Sequence, residues 1–479
     1  MKKFTVLLIS ILCFGEINWQ IEIVDSVDYY SATDEDFRWC SVALDPNDVP
    51  HIIYYKANNL IHAVHCDTGW QKEIVESGLS YYRFSLVIDK NNNPHLSYYR
   101  RDDNLNKFYL CYAHRNSASW LIDVFDSLSY WPFWYGAYTS LAIDTIGQPG
   151  IAYVSWNLTD SIAYIKYAHR NYTNWDTSVV EYDSTHTGIT DWNPSLKSNS
   201  KNTPIIAFNQ LYPPTGYYDT VKIAYFDDSL NCWFVSPAIY WPPDGQPSLS
   251  LQLDNQDHPC IALCRSGTLA YAWWNGSAWQ IQPTQIGIGD YGAVINLDLD
   301  SLNNPHIAFQ GDFLTPFPGY CYYQHNHWYE YVPFDDSLHP RGGISFALDR
   351  DGNPHIAYTC DYWNGSVNIL ALKYAKGNFV GIEENTAGYR IHDAGLRMQI
   401  FPNISYGVLN IQCNLKNKGD GEIEIYDATG TKRKSIKLAN RQTGYHKEVL
   451  NLDGLASGIY FMVLKQNEEK VSKKFLLIK

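Results

Sequence analysis

LDRDGNPHIAY, residues 348–358, decides the fold, because close relatives of it occur six more times upstream. Aligned on the Asp or Asn five residues before a Pro, the copies are SVALDPNDVPHIIY from 41, SLVIDKNNNPHLSY from 85, SLAIDTIGQPGIAY from 140, SLKSNSKNTPIIAF from 195, SLQLDNQDHPCIAL from 250, NLDLDSLNNPHIAF from 296 and SFALDRDGNPHIAY from 345. The period runs from 44 to 55 residues. In each copy an apolar second residue (Val42, Leu86, Leu141, Leu196, Leu251, Leu297, Phe346) stands between small or polar neighbours, the two-residue period of a strand. A turn rich in Asp, Asn and Gly comes next, and a second strand opens at Pro, so the motif reads as a β-hairpin.

Working outward, a third strand succeeds the hairpin in most copies, as in LCYAH (110), IKYAH (165), VKIAY (221), LAYAW (269) and LKYA (372). A fourth opens near Trp, as in GWQKEIVES (69), SWLIDVFDS (119), NWDTSVVEY (174), CWFVSPAIY (232), AWQIQPTQI (278) and HWYEYVPFD (327). Four antiparallel strands per repeat of about 50 residues make a β-propeller blade, and seven hairpins make seven blades. The seventh copy reaches only KGNFVGIEE (376), whereas INWQIEIVDS (17) matches a fourth strand with no hairpin before it. The first segment is therefore expected to supply the last blade's outer strand and close the ring, leaving no open sheet edges.

The recurrence itself reads as structural, since Asp or Asn caps a tight turn with its side chain while Pro starts a strand whose first N–H would be unpaired. DRDGN (349) is similar to the start of a calcium loop, but no acidic residue occurs where a bidentate ligand would sit. His51, His95, His306 and His355 fall in neighbouring blades of a closed ring. A shared zinc is not expected, because zinc holds nitrogens at about 2 Å whereas packed sheets lie about 10 Å apart. Paired or packed histidines are expected, with no metal and no cofactor.

The opening MKKFTVLLISILCFG has the two lysines, apolar run and small final residue of a cleavable export signal, residues 1–15. No other segment approaches the roughly 20 apolar residues of a membrane helix. Nine cysteines lie beyond Gly15 with irregular spacing and without paired CxxC motifs, which reads as mostly buried free thiols. Residues 384–479 carry 15 basic and 10 acidic side chains, leaving 21 basic and 40 acidic upstream of the chain's 36 and 50. So acidic a front repels phosphate backbones and argues against nucleic acid as a partner.

Past IEENTAGYR (382) the repeat stops, and alternating strands separated by DATG, DGLASG and QNEEK suggest a small antiparallel sandwich. Pro402-Asn403, then IEIYDATG (423), LDGLASGIYFMVL (452) and KKFLLIK (473) stand in an order that resembles the type A C-terminal sorting domain of the bacterial type IX secretion system. One departure is visible: Ile404 comes after Pro402-Asn403 where that family usually has a second proline. The resemblance implies export through the periplasm, recognition of the tail by the outer-membrane machinery, and release or attachment at the cell surface. The repeat half resembles a broad group of secreted bacterial proteins with ALDxxGxPHIAY copies, loosely sialidase-like in architecture, although the Ser-x-Asp-x-Gly-x-Thr-Trp box of true sialidases is missing. The expected layout is a signal peptide at 1–15, an all-β seven-bladed propeller at 16–383, a linker at 384–398 and a β-sandwich sorting domain at 399–479.

A ligand is expected on the propeller face where segments run from each outer strand to the next inner strand. Those segments include VDYYSATDEDFRW (27), GLSYYRF (78), LSYWPFWYGAYT (128), STHTGITDWNP (184), YWPPDGQP (240), GIGDYGAV (287) and DDSLHPRGG (335), joined on that face by YRRDDNLNK (99) and TCDYWNGS (359). The candidate binding residues are Tyr81, Tyr82, Arg83, Arg101, Trp131, Trp134, Tyr135, Trp192, Trp241, Tyr291, His339 and Arg341. Flat aromatic faces pack against sugar C–H surfaces while charged groups orient hydroxyls, so an extracellular glycan or protein is the expected ligand. The competing reading is a carbohydrate-active enzyme such as a polysaccharide lyase, with Tyr82 and His339 as acid and base and Arg83 or Arg341 neutralising a uronate. A retaining hydrolase needs two carboxylates about 5 Å apart, and no spacing singles out such a pair. No nucleophile elbow, phosphate loop or HExxH is present, so a binding module without chemistry is favoured.

Overall fold

The structure is a computed structural model. It describes residues 16–477 apart from 33–35, 79, 103–104, 106, 117–118, 129–138, 158–161, 172–173, 184–192, 211–219, 228, 241–247, 266, 289–293, 312–317, 325–326, 332–338, 364–365, 381–396, 402–403, 406–407, 416–417, 442–443 and 468. The expected signal peptide and most of the expected linker lie outside these residues. Every regular element among the described residues is a strand. The chain divides into two compact units, Trp19–Gly377 and Met1–Asn18 with Asn378–Lys479.

The repeats build seven four-stranded antiparallel sheets. Blade one is typical, with strands Cys40–Leu44, Pro50–Lys56, Asn59–Cys66 and Gly69–Ser77 paired in sequence order. Its inner strand packs against the inner strands of blades two (Ser80–Ile88) and seven (His339–Leu348). The same neighbour relation runs through Thr139–Ile143, Ser195–Ser198, Leu249–Leu253 and Val294–Leu299, so the inner strands form a closed ring of seven. Blade seven draws its outer strand from the chain start: Glu16–Asp28 pairs with Asn368–Val380, as the INWQIEIVDS match predicts.

Each recurring residue type has a visible task. The turn Asp or Asn of every repeat accepts the backbone N–H of the residues two and four further on, at 2.7–3.0 Å; Asp349 takes Asp351 and Asn353, and Asp45 takes Asn47 and Val49. The residue three after it has a left-handed backbone in all seven turns: Asp48, Asn92, Gly147, Asn202, Asp257, Asn303 and Gly352. Asn, Asp and Gly are the residues that adopt this conformation at least cost.

The first residue of each motif links neighbouring blades. Ser41 Oγ accepts the N–H of Leu86, Ser85 that of Leu141, Ser140 that of Leu196, Ser195 that of Leu251, Ser250 that of Leu297 and Ser345 that of Val42, all within 2.9–3.2 Å. At the sixth junction Asn296 Nδ2 donates to Ile344 O instead, at 3.1 Å. A second set of ties joins the turns, where Asp48 accepts the N–H of Arg350, Asn202 that of Thr145, Asp257 that of Ser200 and Asn303 that of Asn255. The wheel is thus stitched all round, with the seam between blades seven and one made like the other junctions.

Aromatic rings fill the space between blades. A third-strand ring meets the fourth-strand Trp of the next blade edge-on: His62 with Trp120, Tyr112 with Trp175, Tyr167 with Trp233, Tyr271 with Trp328 and Tyr374 with Trp70, at centroid separations of 5.1–6.4 Å. Between blades six and seven, Tyr320 meets Trp19 of the closing strand at 5.6 Å. Trp19 thereby holds the fourth-strand Trp position in blade seven, while the GNFV of KGNFVGIEE continues the third strand, Asn368–Val380.

The tail is a separate two-sheet unit. Strands Arg397–Phe401, Val408–Leu415 and Gly444–Asn451 form one sheet, and Ile404–Ser405, Glu469–Leu477, Gly458–Gln466, Gly419–Asp427 and Lys432–Arg441, in that spatial order, form the other. Met398, Leu409, Ile411 and Cys413 from the first sheet meet Ile423, Ile425, Met462, Leu464 and Phe475 from the second in one buried core.

Candidate functional site

On the face where the sequence leads one to expect a ligand, the described side chains come together most closely where blades seven, one and two meet. Trp39 directly precedes the inner strand of blade one, two residues before its linking Ser41, and Arg83 holds the same position before Ser85 of blade two. Arg83 has a left-handed backbone, φ 47°, in an irregularity where pairing shifts between Tyr82↔Tyr99 and Ser85↔Ser97. The displaced backbone carries its guanidinium over the Trp39 ring, 3.2 Å from the centroid. Exposed Arg38 lies 5.8 Å from the same ring. Gly343 makes the approach possible on the other side, since a Cβ there would fall 3.1 Å from Arg38 O and 3.2 Å from Trp39 Cα. Guanidinium over indole is held by cation–π attraction, and a guanidinium is the side-chain group whose fork of N–H donors matches a carboxylate.

Several predicted residues stand on strands where the sequence suggests loops. Tyr81, Tyr82 and Arg83 belong to Ser80–Ile88, and Tyr81 pairs with Arg100 across the sheet. Arg101 stands near the end of the next strand, Pro94–Asp102, with its guanidinium 5.5 Å from the Phe108 ring. His339 and Arg341 belong to His339–Leu348, where His339 pairs with Asp361. The physical reason is the irregular pairing in both inner strands, which carries the ladder past the hairpin register into the mouth. Trp131, Trp134, Tyr135, Trp192, Trp241 and Tyr291 lie outside the described residues. Sequence reasoning misses Arg38 and Trp39 within VDYYSATDEDFRW; their fixed offset from the linking serine is the signal that could find them.

Many acidic groups that chemistry would need are engaged between blades. Asp25 of the closing strand accepts Tyr54 Oη and Lys56 Nζ, each at 2.7 Å, with Lys72 at 3.2 Å. Burial alone would raise the Asp25 carboxyl, but Lys56, Tyr54 and Lys72 together hold it below the usual carboxylate value. Glu76 accepts Tyr98 Oη and pairs with Arg100, Asp126 accepts Tyr153 Oη and pairs with Lys166, and Glu181 pairs with Lys222. The repeat histidines are similarly engaged. His51 Nδ1 lies 2.9 Å from His62 Nε2, while His95, His306 and His355 each place Nδ1 2.5 Å from a tyrosine hydroxyl, of Tyr112, Tyr320 and Tyr374. Turn carboxylates stand near the other nitrogen, Asp89 and Asp349 at 3.4 Å and Asp300 at 3.7 Å. Burial, reinforced by His62, pushes His51 down to about 4, and burial also lowers His95 and His355. These are paired histidines on separate blade faces. Among the described residues no group of three or more His, Cys, Asp or Glu is gathered to hold a metal ion. All nine cysteines beyond Gly15 are free thiols, and Cys232 is the exposed one.

Comparison with curated proteins gave no match. Among solved structures the chain is similar to an alpha-L-arabinanase of Penicillium chrysogenum complexed with arabinobiose, at 10% identity, covering 61% of this chain and 94% of that one, with a TM-score of 0.45. It is also similar to an alpha-L-arabinofuranosidase of Fusarium graminearum (10% identity, 60% and 93% covered, TM-score 0.42) and to the SapL1 lectin in complex with alpha methyl fucoside (10%, 63% and 98%, TM-score 0.42). At such identities and scores these likenesses assign no chemistry to the chain. The tail is different: residues 399–479 match the family model described as secretion system C-terminal sorting domain, so the chain ends in the type IX sorting module that its four motifs resemble, and that module marks it for export.

Proposed function

We propose that the propeller is the working part of an exported binding protein and that it grips a glycan bearing carboxylate groups at the mouth formed by blades seven, one and two. The observation that carries this reading is the Arg83 guanidinium stacked on Trp39 beside exposed Arg38. It is a cationic and aromatic platform on a unit whose front carries 40 acidic side chains against 21 basic ones. Trp39 offers a flat apolar surface to sugar C–H groups while the guanidinium pairs with a carboxylate in two parallel hydrogen bonds. Backbone placement adds His339 and Arg341 from blade seven and Tyr81 and Tyr82 from blade two to the same sector. The tail delivers the propeller to the outside, where it is free in the medium or held at the cell surface. Binding without turnover is preferred because Asp25, Glu76, Asp126 and Glu181 serve the blade junctions.

The test is retention of the secreted protein on immobilised polysaccharides, uronate-rich and neutral, with the eluate followed for unsaturated uronate ends. Retention on the uronate-rich polymers alone is expected, weakened at least about tenfold by Arg83→Ala, the size of one lost charge-assisted bidentate contact. Equal retention of wild type and Arg83→Ala would overturn the proposal. Unsaturated ends would replace it with the lyase reading through Tyr82 and His339.

A further inference from the structure

The inner strands carry a second set of donors, directed at the axis of the wheel. In blade one Asp45 N–H bonds Val49 O at 3.0 Å, and the equivalent bond occurs in all seven hairpins. Antiparallel pairing alternates, so the first, third and fifth residues of each motif bond the second strand. The N–H groups of the second and fourth residues point away, toward the axis. The second-residue N–H is taken by the linking serine of the preceding blade in six junctions. The fourth-residue N–H faces the third residue of the preceding blade, two positions along the same side as that serine.

In four blades that third residue is alanine or valine, which accepts nothing. The other three are consecutive: Lys197, Gln252 and Asp298 in blades four, five and six. Asp298 does what the position allows, accepting Leu348 N–H of blade seven at 3.0 Å. Its carboxylate also takes Leu299 N–H at 3.0 Å and Gln252 Nε2 at 2.7 Å, so its acceptor capacity is largely filled. Lys197 cannot accept. At the junction of blades four and five its ammonium therefore joins the Leu253 N–H as a second donor with no acceptor among the described residues. Lys197 makes no hydrogen bond and no ion pair with those residues, and it is half-buried. Burial holds the ammonium below its usual value, and the Asp298 carboxylate opposes that only in part.

We propose that the central channel holds an anion site at the junction of blades four and five, where the Lys197 ammonium and the Leu253 N–H together bind one small monovalent anion, a halide or a carboxylate group. An anion there supplies the missing acceptor for both donors and compensates a cation held out of bulk water. Asp298, two blades on, repels further negative charge and so limits occupancy to one small monovalent anion. A divalent oxyanion is excluded by the same carboxylate. The site is independent of the mouth, since neither Arg83 nor Trp39 takes part.

Crystals of the full secreted chain soaked in sodium bromide, measured at the bromine absorption edge, test the site directly. An anomalous peak within hydrogen-bond distance of Lys197 Nζ and Leu253 N is expected, absent in Lys197→Met and kept in Lys197→Arg. In solution, excess chloride-35 line broadening is expected to fall by at least half in Lys197→Met and to stay in Lys197→Arg; acetate should compete it away from the wild type, while sulfate at equal ionic strength should not. Bromide peaks confined to the outer surface, or a channel peak that survives in Lys197→Met, would overturn the proposal. If Lys197→Met does not fold, the wild-type peak and its competition by acetate decide alone.

Discussion

The propeller and the tail use the same hairpin turn and build different things from it. Asp427 accepts the N–H of Thr429 and Thr431 at 2.9 and 3.0 Å, and Gly430 takes the left-handed backbone, as in the repeat turns. The side chains flanking the turn separate the two units. In the repeats a serine at the head of the inner strand reaches the next blade at six junctions, and aromatic pairs fill six of the seven, so stability is spread over many similar contacts. In the tail the alternate residues of Gly419–Asp427 point into one core, Ile423 and Ile425 inward, while Glu424 on the other face lies under Lys432 and Lys465. Turn chemistry makes hairpins, and the side chains at the free edge decide whether they close into a wheel or pack as a sandwich.

The largest expected effect breaks the tail alone. Ile425 is fully buried in its single core, and Ile425→Ala is expected to cost about 2–5 kcal/mol, with no other core to share the loss. Calorimetry of the full chain should show the tail's transition moving down while the propeller's stays in place. A joint shift of both would show that the two units do not melt independently. Secretion should fall with the tail's stability.

The pH dependence should come from the propeller. His51 in the native state is pushed down to about 4 by burial and by His62, against an unfolded value near 6.5. The unfolded chain then binds the proton that the folded one refuses, so stability is full above about pH 6.5, declines as pH falls toward about 4, and levels off below. His95 and His355 act in the same direction, and Asp45 and Glu73 near His51 moderate it. The loss across the window is roughly 3 kcal/mol for His51. Urea melts of wild type and His51→Asn between pH 7 and 4 should differ in slope, and parallel curves would assign the dependence elsewhere. Glu424 is held at about 2 chiefly by Lys432 and Lys465, so the tail loses its matching contribution only as pH falls from about 4.5 toward 2.

Closing the ring is the third comparison. Trp19→Ala removes the ring that meets Tyr320, and because Trp19 is half-buried the expected cost is about 2–3 kcal/mol, under the roughly 3–5 of a fully buried Trp. Trp233→Ala, at the third junction, should cost a similar amount if the closing strand is equivalent to an ordinary fourth strand. A negligible effect at Trp19 beside a large one at Trp233 would mean that the wheel is not fastened there.

The wheel is legible in the sequence because its determinants recur in register. Seven copies of Asp-to-Pro spacing fix the hairpins, and the Trp of GWQKEIVES repeated in INWQIEIVDS points to the closing strand. The serine at the head of most copies is equally visible, but its role is not, since a side-chain bond to the next blade's strand depends on how neighbouring sheets meet. The candidate site resists for the opposite reason. The mouth segments differ in length and share no period, so Arg38, Trp39 and Arg83 are joined only by their offset from a serine whose task the sequence does not reveal. Lys197 is hidden further still, because the third position of the motif accepts alanine, valine, glutamine and aspartate as readily as lysine.

The smallest effect is the most discriminating. Ser345→Ala takes the acceptor from Val42 N–H at the seam between blades seven and one, a bond of 2.9 Å, and leaves that donor turned toward the channel. A neutral hydrogen bond of this kind contributes about 1 kcal/mol, somewhat less if channel water replaces the hydroxyl. Ser195→Ala does the same between blades four and five, where the bond to Leu251 is 3.0 Å. Because the chain runs unbroken through blade four into blade five, whereas blade seven is completed only by pairing of Asn368–Val380 with the first strand, Glu16–Asp28, an imperfectly closed wheel would lose much less from Ser345→Ala than from Ser195→Ala. Equal losses, read as equal shifts of the urea midpoint with unchanged slope, are expected of a ring in which the seam bears the same load as every other junction.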